Sequence, residues 1–80
     1  MLRVITANLN GIRSAAKKGF FNWFAEQNAD ILCLQETKVH TAQLEDPIFY
    51  PKNYYCDYFD AQKKGYSGVA IFARDRKSVV

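Results

Sequence analysis

Cysteine, proline and glycine are scarce in this 80-residue sequence, which contains two cysteines, two prolines and four glycines. The low proline and glycine content excludes collagen-like and low-complexity disordered classes. Cys33 and Cys56 lie in apolar or aromatic runs, and neither belongs to a CxxC or CxxH spacing. The sequence therefore predicts neither a disulfide framework nor a structural zinc site, and reduced, buried cysteines favour a cytoplasmic protein.

Long apolar runs are also absent. No run reaches the roughly 18 residues that a transmembrane helix requires, so we expect no membrane association. Residues 1–4 lead directly into a strand pattern rather than a signal peptide. Eleven basic and eight acidic residues give a formal net charge of +3. This charge permits an anionic partner without demonstrating one.

Two apolar runs predict strands in the first half of the chain. Residues 2–7 form a mostly apolar, β-branched run that ends in the turn residues 8–11. Residues 31–34 lack polar alternation, which is typical of a strand covered on both faces. With a helix between them the strands form a βαβ-like unit, whose second strand lies parallel to the first or is placed elsewhere by the sheet.

The segment between these strands predicts a helix from Ser14, as N-cap, to about Gln27. Gly19 weakens its first turn, so the regular helix could begin there. Apolar residues at helical spacing define one face: Ala16, Phe20, Trp23 and Phe24. Stacking of the aromatic rings on nucleic acid bases is an alternative, but the spacing favours core packing.

The second half of the sequence predicts a β-hairpin. One helical turn at residues 41–44 precedes Pro47 and Pro51. Residues 54–59 alternate between the two faces of a strand, and residues 69–73 form another apolar run that predicts a strand buried on both faces. A longer loop at residues 62–65 connects them.

The last three residues, 78–80, begin a further strand pattern. Natural domains rarely finish on the opening residues of a strand, so we expect the chain to be a fragment of a longer protein. Such a fragment would expose apolar surface, for example around Phe72, together with unpaired strand edges. We therefore expect a molten or self-associating species.

Polar side chains follow both strands of the βαβ-like unit, Asn8 after the first and Glu36 after the second. In α/β sheets, ligands bind outside the carboxyl ends of the strands. A carboxylate and an amide oxygen are hard ligands that suit Mg²⁺ or Mn²⁺. Alternatively, Asn8 only shapes the turn and Glu36 only caps the residues after it, and the residue types leave both hypotheses open.

Three segments resemble the exonuclease III family of apurinic/apyrimidinic endonucleases, within the endonuclease/exonuclease/phosphatase superfamily. They are TANLNGIR at residues 6–13, ILCLQETK at 31–38 and GYSGVA at 65–70. Their order and spacing are specific, above all the string LQETK. The resemblance covers nearly the whole chain but matches only the N-terminal portion of the family's catalytic domain, so residues 1–80 are expected to be part of one such domain.

The resemblance implies a fold and an activity. The implied fold is a four-layer α/β sandwich of the DNase I-like type. The implied function is that of a monomeric, Mg²⁺-dependent DNA phosphodiesterase of base-excision repair, with Mn²⁺ as a possible substitute. Its partner would be duplex DNA, which it would incise 5′ to an abasic site and trim from 3′ ends.

Individual roles follow from the same resemblance. Glu36 matches the family's metal-binding glutamate, and Asn8 matches the asparagine that lines the metal site, so both are candidate catalytic and metal-site residues. Arg13 and Lys38 match basic residues that contact the DNA backbone. A separate block, Tyr66 and Gly68, matches a loop that also contacts DNA. Asn10 stands where some members have an aspartate, which leaves its role open.

Other elements of the family pattern have no match here. Its Asn-x-Asp pair, a later aspartate and its Asp-His pair would lie beyond Val80, so we expect the 80-residue chain to be inactive alone. The single histidine, His40, is expected to be a surface loop residue. Two alternatives remain: a related metal-dependent phosphoesterase with a phosphoinositide or sphingolipid substrate, and a non-catalytic remnant with weak DNA affinity.

Overall fold

The computed structural model describes residues 2–60 and 68–74. These residues form a mixed sheet with helices on one face. The elements, in chain order, are β1 (Val4–Asn8), α1 (Ile12–Lys17), α2 (Phe20–Gln27), β2 (Ile31–Gln35), 3₁₀ turns at Thr41–Gln43 and Pro47–Phe49, β3 (Tyr54–Phe59) and β4 (Val69–Arg74).

The four described strands lie in the order β1-β2-β4-β3. β1 and β2 are parallel and in register, with Val4 opposite Ile31 and Asn8 opposite Gln35. β4 is antiparallel to both of its neighbours, β2 and β3. The predicted hairpin is confirmed, and of the two placements left open for the second strand, the parallel one is observed. The hairpin is inserted so that its second strand, β4, adjoins β2.

The predicted single helix is two helices, which is a correction. α1 begins at Ile12, so Ser14 lies inside it rather than at its N-cap. Gly19 separates α1 from α2 with a φ of 95°, a left-handed conformation that glycine adopts without steric cost. α2 ends at Gln27, and its C-cap residue is Asn28. The φ of Asn28 is 53°, a left-handed conformation that asparagine tolerates better than most residues.

The core lies between the helices and one face of the sheet. Phe72 of β4 is fully buried and contacts the rings of Phe21 and Phe24, with centroids 6.2 and 6.3 Å apart. The core assignment is therefore right for Phe24 and wrong for Trp23, which is 46% exposed. Phe21 is also a core residue, although it was not part of the predicted apolar face.

The opposite face of the sheet is open among the described residues. Val69 and Ile71 are 43% and 44% exposed, while Ala70 and Phe72, which alternate with them, are fully buried. The apolar run predicted a strand covered on both faces, whereas a fragment was expected to expose apolar surface, and the described chain does expose it at Val69 and Ile71. The prediction that Phe72 marks this exposed surface is wrong, because the strand's alternation turns Phe72 towards the helices and Ile71 away from them.

Across residues 2–60 and 68–74, no helix has the length and apolar character needed to cross a membrane.

Candidate active site

Asn8 and Glu36 meet at one end of the sheet, where the two parallel strands finish. Asn8 is the last residue of β1 and pairs with Gln35, the last residue of β2. Glu36 follows immediately, and its Oε2 atom accepts a hydrogen bond from the Asn8 side-chain amide Nδ2. Both side chains lie outside the carboxyl ends of the strands, where ligands bind in α/β sheets.

The orientation of the Asn8 amide follows from its two partners. Its Oδ1 atom accepts a hydrogen bond of 3.2 Å from the backbone N–H of Asn10. A backbone N–H can only donate and a carboxylate can only accept, so the nitrogen of Asn8 must face Glu36. The amide oxygen is therefore turned away from the carboxylate and already has a partner.

Lys38 lies beside the same carboxylate. Its ammonium donates a hydrogen bond to Asn10 Oδ1 and lies 3.7 Å from Glu36 Oε1. The side chains of Lys38 and Glu36 are 48% and 37% exposed, so this ion pair is a surface pair whose contribution to stability is small. The ion pair does, however, place one positive charge next to the Glu36 carboxylate.

Three residues of this site have a left-handed backbone. The φ angles of Asn10, Glu36 and Lys38 are 49°, 54° and 55°. Asparagine adopts this conformation readily, whereas for glutamate and lysine it costs about 1–2 kcal/mol each. Such conformations concentrate at functional sites, and here they occur at three residues that contact one another or lie beside the same carboxylate.

Backbone hydrogen bonds connect the loops at this edge of the sheet. Gly11 N–H donates to the Glu36 carbonyl at 2.8 Å, and Ile12 N–H donates to the Thr37 carbonyl at 2.9 Å. Thr37, which is 2% exposed, donates its own N–H to the Gly68 carbonyl at 3.0 Å. These bonds hold the start of α1 and the start of β4 against the segment that contains Glu36.

The other predicted site residues are placed as follows. Gly68 is buried at this edge of the sheet, where its carbonyl accepts a hydrogen bond from the Thr37 N–H. Arg13 is exposed in the first turn of α1, and no ion pair that involves it occurs in the described part of the chain. Tyr66 lies outside the described residues. His40 has an exposed side chain whose Nδ1 is 3.8 Å from Asp60 Oδ2, in agreement with its predicted surface position.

One carboxylate, Glu36, stands at the centre of the site. Among residues 2–60 and 68–74, no group of three or more His, Cys, Asp or Glu side chains is arranged to hold a metal ion. Mg²⁺ commonly binds through one or two carboxylates, with water and phosphate oxygens completing its shell. Glu36 fits one such position, whereas Asn8 presents its nitrogen rather than its oxygen to the same side.

The contact between Asn10 and Lys38 was not predicted from the sequence. A signal for it was present, since Asn8 and Glu36 are separated by 28 positions and so are Asn10 and Lys38. Parallel strands in register keep a constant offset along their length, which is 27 positions for β1 and β2. The two polar pairs at the strand ends share an offset one position longer.

A groove of about 850 Å³ lies at the opposite end of the sheet. Its lining includes Phe24, Tyr54 and Arg74. Because Tyr54 pairs with Arg74 at the far ends of β3 and β4, this groove is separate from the edge that contains Glu36.

The mixed α/β sheet thus carries a hydrogen-bonded amide and carboxylate at the ends of its two parallel strands. The sequence matches the endonuclease/exonuclease/phosphatase family over residues 5–80. The chain belongs to this family.

Relatives with known names agree with this assignment. An exodeoxyribonuclease of Bacillus subtilis is 39% identical over 74 residues, which are 91% of this chain and 28% of that protein. DNA-(apurinic or apyrimidinic site) endonuclease 2 of Homo sapiens is 37% identical over an alignment that covers 100% of this chain and 18% of that protein. The chain thus spans less than a third of the length of either relative.

Solved structures show the same fold. An AP endonuclease from Archaeoglobus fulgidus matches with a TM-score of 0.71 at 35% identity, over 91% of this chain and 27% of that one. The AP endonuclease LMAP from Leishmania major matches with a TM-score of 0.74 at 30% identity, over 92% of this chain and 24% of that one. The predicted fold class, an α/β sandwich of the DNase I-like type, is confirmed, and the described residues form one sheet of it with its helical layer.

Proposed function

We propose that this chain is part of a Mg²⁺-dependent DNA phosphodiesterase of base-excision repair, which incises DNA at abasic sites and degrades it from 3′ ends. The observation that supports this most is the Asn8–Glu36 pair at the carboxyl ends of two parallel strands. Relatives named exodeoxyribonuclease and apurinic or apyrimidinic site endonuclease support the choice of DNA as substrate. The protein would act as a cytoplasmic monomer, and Mn²⁺ could replace Mg²⁺.

The chemistry divides between the cation and the chain. When bound, Mg²⁺ neutralises charge on the phosphoryl oxygens, stabilises the leaving oxygen and lowers the pKa of an attacking water. Glu36 would supply an anionic ligand for it, and Asn8 would hold that carboxylate in place through Nδ2. Arg13, Lys38, Tyr66 and Gly68 would position the DNA backbone, a contact that is independent of sequence and weakened by salt.

A second candidate is a non-catalytic DNA-binding fragment. One observation favours it, namely that the described residues contain no group of three or more His, Cys, Asp or Glu side chains arranged to hold a metal ion. In that case the 80-residue chain would bind duplex DNA weakly and would not cut it. A related phosphoesterase acting on a lipid phosphate is a third possibility, and it makes a different prediction about substrate.

The test is a nuclease assay on a duplex with one tetrahydrofuran abasic-site analogue, an otherwise identical intact duplex and a phosphoinositide. The protein that contains this chain is expected to nick the abasic strand in Mg²⁺ and to stop when EDTA removes the cation. Cleavage of the phosphoinositide alone would reject DNA as the substrate. Absence of any cleavage by that protein, with retained DNA binding, would favour the non-catalytic candidate.

A further inference from the structure

Asn10 contacts two site residues through two different groups. Its backbone N–H donates to Asn8 Oδ1 at 3.2 Å, and its side-chain Oδ1 accepts a hydrogen bond from Lys38 Nζ. Asn8 and Lys38 in turn lie against different oxygen atoms of Glu36. Asn8 Nδ2 donates to Oε2, and Lys38 Nζ lies 3.7 Å from Oε1. Asn8, Asn10 and Lys38 thus form a closed ring of contacts with the Glu36 carboxylate.

We infer that Asn10 is a positioning residue, which holds the Glu36 carboxylate in one orientation by acting on both of its oxygen atoms through Asn8 and Lys38. This role rests on the proposed function, because a ligand that is oriented in advance matters only if a cation binds there. It also makes Asn10 a second partner of Lys38 inside the protein, in addition to Glu36.

The chemistry of each group allows one arrangement of the ring. The Lys38 ammonium has only donors, so it must face the oxygen of the Asn10 amide. The backbone N–H of Asn10 has only a donor, so it must face the oxygen of the Asn8 amide. Each side-chain amide therefore has one possible orientation, because its partner can only donate a hydrogen bond.

The left-handed backbone at Asn10, with φ of 49°, makes a clean separation of the two contacts possible. Glycine adopts this conformation without strain, so Asn10→Gly removes the side-chain contact with Lys38 while keeping the backbone N–H that binds Asn8. Asn10→Asp restores an acceptor for Lys38. Asn22, exposed on α2 and distant in sequence, provides a control as Asn22→Ala.

The experiment is nuclear magnetic resonance of the metal-free, ¹⁵N-labelled protein that contains this chain, observing the Lys38 ammonium protons. In Asn10→Gly their exchange with water is expected to be about 5-fold faster, as for loss of one net hydrogen bond. Asn10→Asp should retain slow exchange, and Asn22→Ala should match the unmodified protein. Unchanged exchange in Asn10→Gly, or equally fast exchange in Asn22→Ala, would overturn the positioning role.

A second variant approaches the same contact from the other side. Lys38→Met should shift the side-chain amide signals of Asn10, and unchanged signals would contradict the contact even if Asn10→Gly did not fold. The nuclease assay on the same samples separates this role from the proposed function. Normal cleavage with unchanged Lys38 exchange rejects the positioning role alone. The expected exchange changes without cleavage in any sample reject the proposed function alone.

Discussion

The Asn8 side-chain amide donates a hydrogen bond to Glu36 Oε2 across 28 positions of sequence. The second oxygen of the same carboxylate lies 3.7 Å from the Lys38 ammonium. A carboxylate with a partner at each oxygen has less rotational freedom, which would lower the entropic cost of binding a cation there in the proposed function.

Replacing Glu36 by glutamine tests its part in catalysis. Glu36→Gln keeps the size and an acceptor for Asn8 but removes the negative charge. In the protein that contains this chain we expect cleavage at an abasic site to fall at least about 10²-fold, because the cation's contribution to the transition state is lost. Glu26→Gln, at an exposed position of α2, should cleave normally. Near-normal cleavage by Glu36→Gln at low Mg²⁺ would show that Glu36 has a structural role.

The DNA-backbone assignment of Arg13 is tested by the salt dependence of binding. Arg13→Ala should weaken binding to all duplex sequences alike and lower the slope of log affinity against log salt by up to about one unit. Lys38→Ala should lower the affinity and the salt slope in the same direction but by less, because the Lys38 charge is partly neutralised by its ion pair with Glu36. Lys52→Ala is the control, because Lys52 lies at the opposite end of the sheet. A loss confined to one DNA sequence would contradict phosphate contact.

The break between the two helices predicts a cost for any side chain at position 19. An added Cβ at Gly19 would meet no atom within 4 Å, so the expected penalty comes from its φ of 95° alone. We expect Gly19→Ala to lower the free energy of unfolding by about 1 kcal/mol, measured by urea unfolding. Asn22→Ala, within α2, should be neutral or slightly stabilising. An equal or higher stability for Gly19→Ala would mean that α1 and α2 can join into one helix.

Two half-buried groups on β3 predict a loss of stability in alkali. Burial, with a smaller effect of the Asp57 charge, raises the pKa of the Cys56 thiol from 9.0 to about 11. Burial also raises the pKa of Tyr58, whose hydroxyl donates to the Phe49 carbonyl at 2.5 Å.

For both groups the folded pKa exceeds the unfolded one, so the protonated form stabilises the fold. The Cys56 contribution is present below pH 9.0 and is lost as the pH rises towards about 11. Urea midpoints measured across this range should fall, and they should fall less in Cys56→Ala. Tyr58→Phe should reduce the decline above pH 10.0, the ordinary pKa of tyrosine. A midpoint that rises with pH over this range would contradict both assignments.

The open face of the sheet predicts self-association of the 80-residue chain. Ile71 is 44% exposed at the centre of β4, and Val69 and Val4 on the same face are 43% and 51% exposed. Size-exclusion chromatography over a range of concentrations should show oligomers that Ile71→Thr reduces, with a change in stability of about 0.5 kcal/mol or less.

Phe72, the next residue, provides the contrast, because it is fully buried on the other face. Phe72→Ala should cost about 3–5 kcal/mol and leave an unfolded or aggregated chain. A wild-type chain that elutes as a monomer at every concentration would contradict the prediction of self-association.

Local sequence patterns were sufficient to locate the strands and the polar residues that follow them. The β-branched run before Asn8 and the apolar run before Glu36 correspond to β1 and β2, and the alternation of residues 54–59 corresponds to β3. These features depend on side-chain preferences within a few neighbouring residues, which sequence alone specifies.

Which face of each strand is buried was beyond local patterns. An apolar run such as VAIFA predicts burial on both faces, yet Ile71 and Phe72 differ by 44% in exposure because the helices pack on one face of the described sheet. The same limit applies to the helices. Gly19 indicated that a regular helix could begin there, but the apolar spacing gave no indication that residues 12–17 form a separate helix, α1.

The sequence by itself determined where this protein's strands form, which family it belongs to, and that an asparagine and a glutamate follow the first two strands. Only the tertiary structure decided that β4 adjoins β2, that Asn8 offers Glu36 its nitrogen, and that Asn10 connects Asn8 with Lys38. The reason is physical. Strand formation depends on neighbouring residues. Strand order and hydrogen-bond direction depend on groups that meet only when parallel strands pair in register across 27 positions of chain.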